Sequence, residues 1–171
     1  MALVQRSGSQ VFGVDFCAEM LREALRKPGL AGRLGVADAC RLPIADGAAD
    51  LTLCSFALGY LATPDHAIAE MARVSRRSGR VIVSDLHPRA VAAGWTRSFR
   101  AQGQSYEIDH HHHPIAAFEA AAESAGLSLE WLIEASFGKP EREIFLRAGK
   151  DSLFPLLSRI PALLAISWTK S

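Results

Sequence analysis

This sequence of 171 residues lacks an excess of either charge, which removes several classes of protein from consideration. Its 19 Lys and Arg residues nearly balance 18 Asp and Glu residues, for a net charge of +1. Such a balance argues against binding nucleic acid or an anionic membrane through bulk charge. The densest basic cluster falls at the end of a predicted helix, where cations favour the helix dipole, and comprises Arg73, Arg76, Arg77 and Arg80.

Cysteine is scarce, and long hydrophobic runs are missing. The three cysteines, Cys17, Cys40 and Cys54, form no Cys-x-x-Cys pair, and no secretory signal is recognised. Reduced thiols in a cytoplasmic protein are therefore expected. The most apolar segment near the C-terminus, residues 162–168, is too short to span a bilayer and is predicted to form a buried strand.

The chain does contain short apolar runs that alternate with amphipathic segments. Its length and its 49% of hydrophobic residues suit a single domain over residues 1–171. Strands are predicted at residues 11–15, 33–37, 50–55, 81–85, 127–133 and 162–168, with helices between them. This alternation predicts a mostly parallel sheet with helices on both faces. Residues 86–113 lack clear periodicity, which indicates a functional loop or lid.

Acidic residues end two of the predicted strands. Asp15 closes the first strand, and Asp38 follows the second. Ligands in such sheets bind beyond the carboxyl ends of the strands, so Asp15, Asp38, Ser55 and Asp85 should face one crevice. One acid there can hold a ribose diol while the other reaches a base, which predicts a nucleotide site. Two structural roles stay open: Asp15 could favour the start of its helix, and Asp38 could be a turn residue.

Four segments in the right order and spacing resemble the motifs of class I S-adenosylmethionine-dependent methyltransferases, particularly the ubiquinone/menaquinone-type small-molecule branch. They are residues 13–21, 37–43, 50–61 and 79–85. The resemblance implies S-adenosylmethionine as the cofactor and a small molecule as the methyl acceptor. It covers residues 8 to 135 well and the remaining tail loosely.

The resemblance also implies roles for the residues around the nucleoside. Asp15 would accept hydrogen bonds from the ribose hydroxyls, and Phe16 and Met20 would pack on the adenine. Asp38 would accept from the adenine amino group, while the N–H of Ala39 would meet a ring nitrogen. For Met20, a place in the hydrophobic core is the alternative.

On the methyl-transfer side, the resemblance places Ser55 and Phe56 beside the methionine moiety. A general base is needed only if the acceptor must lose a proton. The candidates are His87, which follows a predicted strand, and His111 and His113, which lie in a segment that covers the acceptor pocket in similar relatives.

Other classes of site and protein fit parts of the pattern. The run of four histidines at 110–113, next to Asp109, could suggest a metal site, but neighbouring residues rarely converge on one ion, so no metal is predicted. An NAD-dependent oxidoreductase also has an acid-ended strand, but the sequence lacks a Tyr-x-x-x-Lys or similar catalytic pair. A degenerate, non-catalytic domain that binds a partner through exposed sheet edges is the remaining alternative.

One part of the family pattern is missing: strand 1 and its glycine-rich loop, which precede the position of Asp15. The one candidate glycine is Gly8, and residues 1–7 look like the end of the first helix. Because strand 1 is central in the family's order 3-2-1-4-5-7-6, its absence leaves a gap of about 10 Å between strands 11–15 and 50–55. The expected fold is therefore an N-terminally truncated, Rossmann-like α/β domain with an antiparallel last strand. A new strand pairing, another segment or another chain would fill the gap, and a homodimer is a candidate assembly.

Overall fold

The computed structural model describes residues 9–171; Gly8 and the helix end expected at residues 1–7 lie outside this range. The described strands are β1 (Gly13–Asp15), β2 (Leu34–Val36), β3 (Ala49–Ser55), β4 (Ser75–Leu86), β5 (Arg97–Ala101), β6 (Gln104–Ile108), β7 (Leu127–Ala135) and β8 (Leu163–Lys170). The described α-helices are α1 (Ala18–Ala24), α2 (Asp65–Val74), α3 (Pro88–Ala92), α4 (Ile115–Ser124), α5 (Lys139–Arg147) and α6 (Phe154–Leu157). Short 3₁₀ turns occupy Leu58–Tyr60 and Asp151–Leu153. Over residues 9–171, every helix is too short or too polar to cross a membrane.

The strands form two separate sheets and a hairpin. β1 and β2 pair in parallel, and the larger sheet has the order β3-β4-β8-β7. In that sheet β3 and β4 are parallel, whereas β8 is antiparallel to both of its neighbours. β5 and β6 form an antiparallel hairpin. The predicted α/β architecture and its antiparallel last strand are confirmed.

The strands on either side of the expected gap do not pair with each other. Within residues 9–171, neither β1 nor β3 has a strand on its second edge, so the two sheets remain separate. The order within each sheet, β2-β1 and β3-β4-β8-β7, matches the expected family order on either side of its central strand.

The hydrophobic core lies on one face of the larger sheet. Alternate residues of β4 and β8, including Val81, Val83 and Ile166, are fully buried there. Helices α2 and α4 cover this face with Ile68, Met71, Phe118, Ala121 and Ala122. The sheet is therefore held rigidly from one side, and the carboxyl ends of β3 and β4 are fixed in place.

Helix α2 begins after Pro64, its N-cap residue, and Asp65 lies in its first turn. The helix ends at Val74, because β4 begins immediately afterwards.

The basic cluster is consequently divided between two elements. Arg73 alone is on α2, whereas Arg76, Arg77 and Arg80 lie on β4. Arg76 pairs with Asp50, and Arg80 pairs with Glu130. The explanation by the helix dipole therefore holds for Arg73 only.

Residues 86–113 are more regular than their sequence indicates. They contain α3 and the β5–β6 hairpin, whose two turn residues, Gln102 and Gly103, have φ of 50° and 78°. Positive φ at both central positions is typical of tight two-residue hairpin turns. The irregular loop expected there is therefore wrong for most of this segment.

Candidate functional site

Asp15 and Asp38 lie together at the carboxyl edge of the β1–β2 pair. Asp15 is in register with Val36, and the Asp15 carbonyl accepts a hydrogen bond from the Ala37 N–H at 3.1 Å. Asp38 is the next residue along, and both acidic side chains are exposed. The structure thus brings together the two acids that the sequence singled out.

Each acid uses one carboxylate oxygen to stabilise its own turn. Oδ1 of Asp15 accepts from the Cys17 N–H, and Oδ1 of Asp38 accepts from the Cys40 N–H, both at 2.8 Å. These are Asx turns, so the structural roles considered for both acids are real. Both acids are exposed, and the Cys40 thiol also hydrogen-bonds the Asp38 carboxylate. The turns therefore leave both carboxylates accessible to a ligand.

Apolar side chains beside the acids are exposed as well. Phe16 is 79% exposed and Met20 is 61% exposed. Met20 is therefore not a core residue, and the core alternative for it is wrong. Ala39 is partly buried against the hydrophobic core, next to Asp38. Large exposed apolar side chains flanking two carboxylates form a surface suited to a planar, polar-edged group such as a nucleobase.

The carboxyl ends of β3 and β4 form a second group of polar residues. The hydroxyls of Ser55 and Ser84 are 2.9 Å apart, and the Phe56 N–H donates to the Ser84 carbonyl at 2.7 Å. Phe56 has φ of 55°, the left-handed region that non-glycine residues rarely adopt. Asp85 is buried beside them, and its Oδ2 accepts from the Gly59 N–H at 2.9 Å.

Arg97, from the β5–β6 hairpin, reaches this edge and was missed by the sequence analysis. It forms an ion pair with Asp85 and donates to the Phe56 carbonyl at 2.7 Å. The Gln102-Gly103 turn was a modest signal for the hairpin, but nothing in the sequence indicated the partner of Arg97.

The three candidate catalytic histidines occupy different environments. His87 is buried, its Nδ1 accepts from the Arg89 N–H at 3.0 Å, and its Nε2 lies 2.7 Å from the Glu134 carboxylate. Because Nδ1 is an acceptor, the proton is on Nε2, which donates to Glu134. Both ring nitrogens of His87 are therefore engaged within the protein.

His113 is also held by the protein, whereas His111 has an exposed side chain. Nε2 of His113 lies 3.0 Å from the Leu61 carbonyl and 3.2 Å from that of Leu58, both acceptors. The His111 backbone N–H donates to the Gly59 carbonyl at 2.7 Å, and the rings of His111 and His113 are stacked at 6.4 Å. His111 thus has its backbone fixed beside Asp85 while its imidazole faces outward.

The histidine segment lines two adjoining concavities. The first is a small cavity bounded by Gly59, Asp85, Val91, Phe118 and residues 110–113. The second is a groove of about 170 Å³ beside Trp95, lined also by Glu107, Asp109, His110 and His112. Across residues 9–171, no three His, Cys, Asp or Glu side chains converge into a metal-ligand group.

A polar network fastens the segment after Asp38 to helix α2. Glu70 accepts from the Leu42 N–H at 2.7 Å, and Arg73 donates to the Leu42 and Ile44 carbonyls at 3.0 and 2.8 Å. Arg73 hydrogen-bonds Glu70 and thereby lowers the pKa of that carboxyl to about 2. This network fixes the segment that connects β2 to β3 against helix α2.

The two cysteines near the site have raised pKa values. Burial, followed by the charge of Asp85, raises the pKa of Cys54 to about 11. Burial and the neighbouring Asp38 carboxylate raise the pKa of Cys40. Both thiols are therefore protonated at neutral pH and are poor nucleophiles.

Comparison with known proteins gives matches over this same region. Residues 1–83 match a family model described as a methyltransferase domain. A demethylmenaquinone methyltransferase of Thermobifida fusca is 37% identical over 84 residues, covering 47% of this chain and 36% of that protein. Methyltransferase GfsG of Streptomyces halstedii is 29% identical over 143 residues, covering 78% of this chain and 50% of that protein.

A crystal structure of an S-adenosylmethionine-dependent methyltransferase from Mesorhizobium loti has the same fold. It aligns with a TM-score of 0.73 at 19% identity, covering 99% of this chain and 84% of that chain. Fold and site together define a Rossmann-like α/β protein. Residues 1–83 are similar to a methyltransferase domain, 47% of the chain is similar to a demethylmenaquinone methyltransferase, and the fold is that of an S-adenosylmethionine-dependent methyltransferase. It spans only 36% and 50% of the two curated relatives.

Proposed function

We propose that this protein binds S-adenosylmethionine at the carboxyl edge of β1 and β2 and takes part in methyl transfer to a small-molecule acceptor. One observation carries the proposal. Asp15 ends β1 and Asp38 follows the adjacent parallel strand β2; each is exposed and has one oxygen committed to an Asx turn. The similarity of residues 1–83 to a methyltransferase domain supports an adenosine group as the ligand for such a pair.

The nucleoside would be held by side chains that are already exposed. Asp15 accepts from the ribose hydroxyls, and Asp38 accepts from the adenine amino group while the Ala39 N–H meets a ring nitrogen. Phe16 and Met20 cover the adenine faces. Each hydrogen bond to a charged carboxylate contributes about 1.5–3 kcal/mol.

Methyl transfer would take place beside Ser55 and Phe56. S-adenosylmethionine held by these residues would supply a methyl group for in-line displacement from its sulfonium, and Ser55 and Phe56 would line the position of that group. Such a reaction needs position and enclosure from the protein more than it needs acid–base groups. If the acceptor loses a proton, His111 is the preferred base, because both ring nitrogens of His87 and Nε2 of the buried His113 are engaged within the protein, whereas His111 is exposed.

The methionine end of the cofactor would require a further strand. We propose that residues 1–171 form one methyltransferase-like domain whose site is completed by a strand between β1 and β3. That strand would come from polypeptide outside residues 9–171 or from a second copy in a homodimer. The protein would work in the cytoplasm, which the free thiols of Cys17, Cys40 and Cys54 favour.

Calorimetric titration of this chain with S-adenosylmethionine and S-adenosylhomocysteine tests the cofactor site. We expect micromolar dissociation constants, and losses of about tenfold or more in Asp15→Asn and Asp38→Asn. Glu123→Gln, an exposed acid on α4, is the control and should bind like wild type.

A non-catalytic binding domain is the second candidate function. The unpaired edges of β1 and β3 favour it, because such edges can accept a strand from another chain. If the folded wild-type chain binds neither cofactor form at millimolar concentration, the cofactor site is excluded and this second candidate is preferred.

A further inference from the structure

A single arginine fastens the β5–β6 hairpin to the carboxyl edge of the larger sheet. Arg97 is the first residue of β5, and its side chain is only 11% exposed. Its guanidinium pairs with the buried Asp85 carboxylate at the end of β4. It also donates from Nη1 to the Phe56 carbonyl at 2.7 Å. One planar group therefore bridges the ends of two adjacent strands.

Aromatic rings surround the same guanidinium. Its central carbon lies 4.8 Å from the ring centroid of Tyr60 and 5.7 Å from that of Phe56. At such distances a cation is attracted to the ring face. A planar guanidinium can stack on rings and donate in its plane at once, which an ammonium cannot do. The contact is therefore specific to arginine.

Phe56 needs such support because its backbone is in an unfavourable conformation. Its φ of 55° is costly for a residue with a side chain, and surrounding contacts must maintain it. The hydrogen bond from Arg97 holds the carbonyl oxygen of Phe56 itself and so restrains this backbone conformation. Phe56 follows Ser55, and the proposed function assigns both residues to the methyl-transfer side of the site.

Gly59 extends this arrangement to the histidine segment. A Cβ on Gly59 would lie 3.3 Å from Nη2 of Arg97 and 3.5 Å from Oδ2 of Asp85, so the pair packs closely against its backbone. The Gly59 N–H donates to Asp85, and its carbonyl accepts from the His111 N–H. Arg97 thus connects the hairpin, residues 56–61 and the start of the histidine segment.

We infer that Arg97 is a positioning residue, which sets the conformation of residues 56–61 and holds the β5–β6 hairpin where it lines the methyl-acceptor side of the site. That the hairpin lines a methyl-acceptor site rests on the proposed function. The mechanical role of Arg97 does not, since it follows from contacts within this chain. No charge is left to meet the acceptor there, because Asp85 neutralises the guanidinium.

Hydrogen–deuterium exchange of the chain without cofactor tests this role. Arg97→Met should raise amide exchange at least tenfold in residues 56–61 and 97–108, while β7 and β8 keep wild-type rates. Arg97→Lys can pair with Asp85 but cannot also bridge to Phe56, so residues 56–61 should exchange faster and the hairpin should change less. Arg100→Met, an exposed arginine on the same strand, is the matched control and should resemble wild type.

Chemical rescue separates a guanidinium bridge from general destabilisation. Low millimolar ethylguanidinium should restore protection of residues 56–61 in Arg97→Ala, whereas ethylammonium should not. Wild-type exchange of residues 56–61 in Arg97→Lys, or equal rescue by both ions, would overturn the inference. If the wild-type chain does not bind S-adenosylhomocysteine, the proposed function is wrong. The role of Arg97 is then still tested by the exchange experiment, which uses no cofactor.

Discussion

At the scale of single residues, Asp15 combines a turn-forming role with the proposed ribose contact, and two substitutions separate them. The amide oxygen of Asp15→Asn can still accept from the Cys17 N–H, so its free energy of unfolding should stay within about 0.5 kcal/mol of wild type. Asp15→Ala also loses the Asx turn, which should cost about 1 kcal/mol. Urea unfolding measures both values. Equal stability of the two variants would show that the hydrogen bond at 2.8 Å contributes nothing.

Glu70 should make stability depend on pH in the acid range. Hydrogen bonds from Arg73 lower its pKa in the folded protein from 4.5 to about 2. A depressed carboxyl pKa means that the unfolded chain binds the proton more readily, so the stabilisation is complete above about pH 4.5 and is lost as pH falls towards 2. Glu70→Gln should therefore lower stability at pH 7 by about 1–3 kcal/mol and flatten the acid slope.

Urea midpoints at pH 7, 4 and 3 would measure this effect, with Glu123→Gln as the control. The idea fails if Glu70→Gln and wild type lose stability in parallel as the pH falls. A parallel loss would mean that the network between Leu42 and α2 is too solvated to matter.

Cys54 should be far less reactive in the folded protein than in the unfolded chain. Its pKa is raised from 9.0 to about 11, so its thiolate fraction at pH 8 falls about 100-fold. Iodoacetamide labelling followed by mass spectrometry, with and without urea, measures the ratio of rates. Comparable rates in the two states would contradict the burial of Cys54 against Asp85.

At the scale of elements, the first part of β4, where its pairing with β3 shifts register, depends on Gly79. A Cβ there would lie 2.8 Å from the Arg76 carbonyl oxygen and 3.2 Å from that of Ala49. These are backbone atoms next to the register shift between β3 and β4, so they cannot move aside cheaply. Gly79→Ala should destabilise the protein by about 1–3 kcal/mol.

Gly35→Ala is a matched control for this prediction. Gly35 also lies in a strand, but a Cβ there would meet nothing within 4 Å. Thermal unfolding should therefore show a clear loss for Gly79→Ala and little change for Gly35→Ala. Similar effects at both positions would point to strand propensity rather than to the close backbone approach.

The elements with strong local patterns were predictable from the sequence, and those defined by distant contacts were not. The apolar runs of β3 and β8 indicated buried strands, and the acids after β1 and β2 indicated a ligand edge. The hairpin was missed because its strands are exposed and carry little apolar alternation. Arg97 could not be identified as a site residue, because its partner Asp85 is twelve residues away and meets it only in the folded chain.

At the scale of the whole molecule, one face of the larger sheet is covered and the other retains exposed apolar side chains. α2 and α4 bury the first face. On the second, Leu53, Ile82, Ser167 and Trp131 are successive cross-strand neighbours, so they form one row across all four strands. Leu53 is 55% exposed at one end of this row, and Trp131 is 38% exposed at the other. Ser167 between them is fully buried, so the exposed apolar surface lies at the two ends of the row. Exposed apolar surface commonly marks an association site.

The row also ends at β3, whose outer edge has no partner strand within residues 9–171. An apolar face next to an open edge should make this chain self-associate as its concentration rises. Leu53→Lys places a charge on that face, and we expect it to weaken association at least tenfold in sedimentation equilibrium. Leu146→Lys, which changes an equally exposed leucine on α5, should leave association unchanged. A wild-type chain that stays monomeric at high concentration, or equal effects of the two substitutions, would show that this face does not drive assembly.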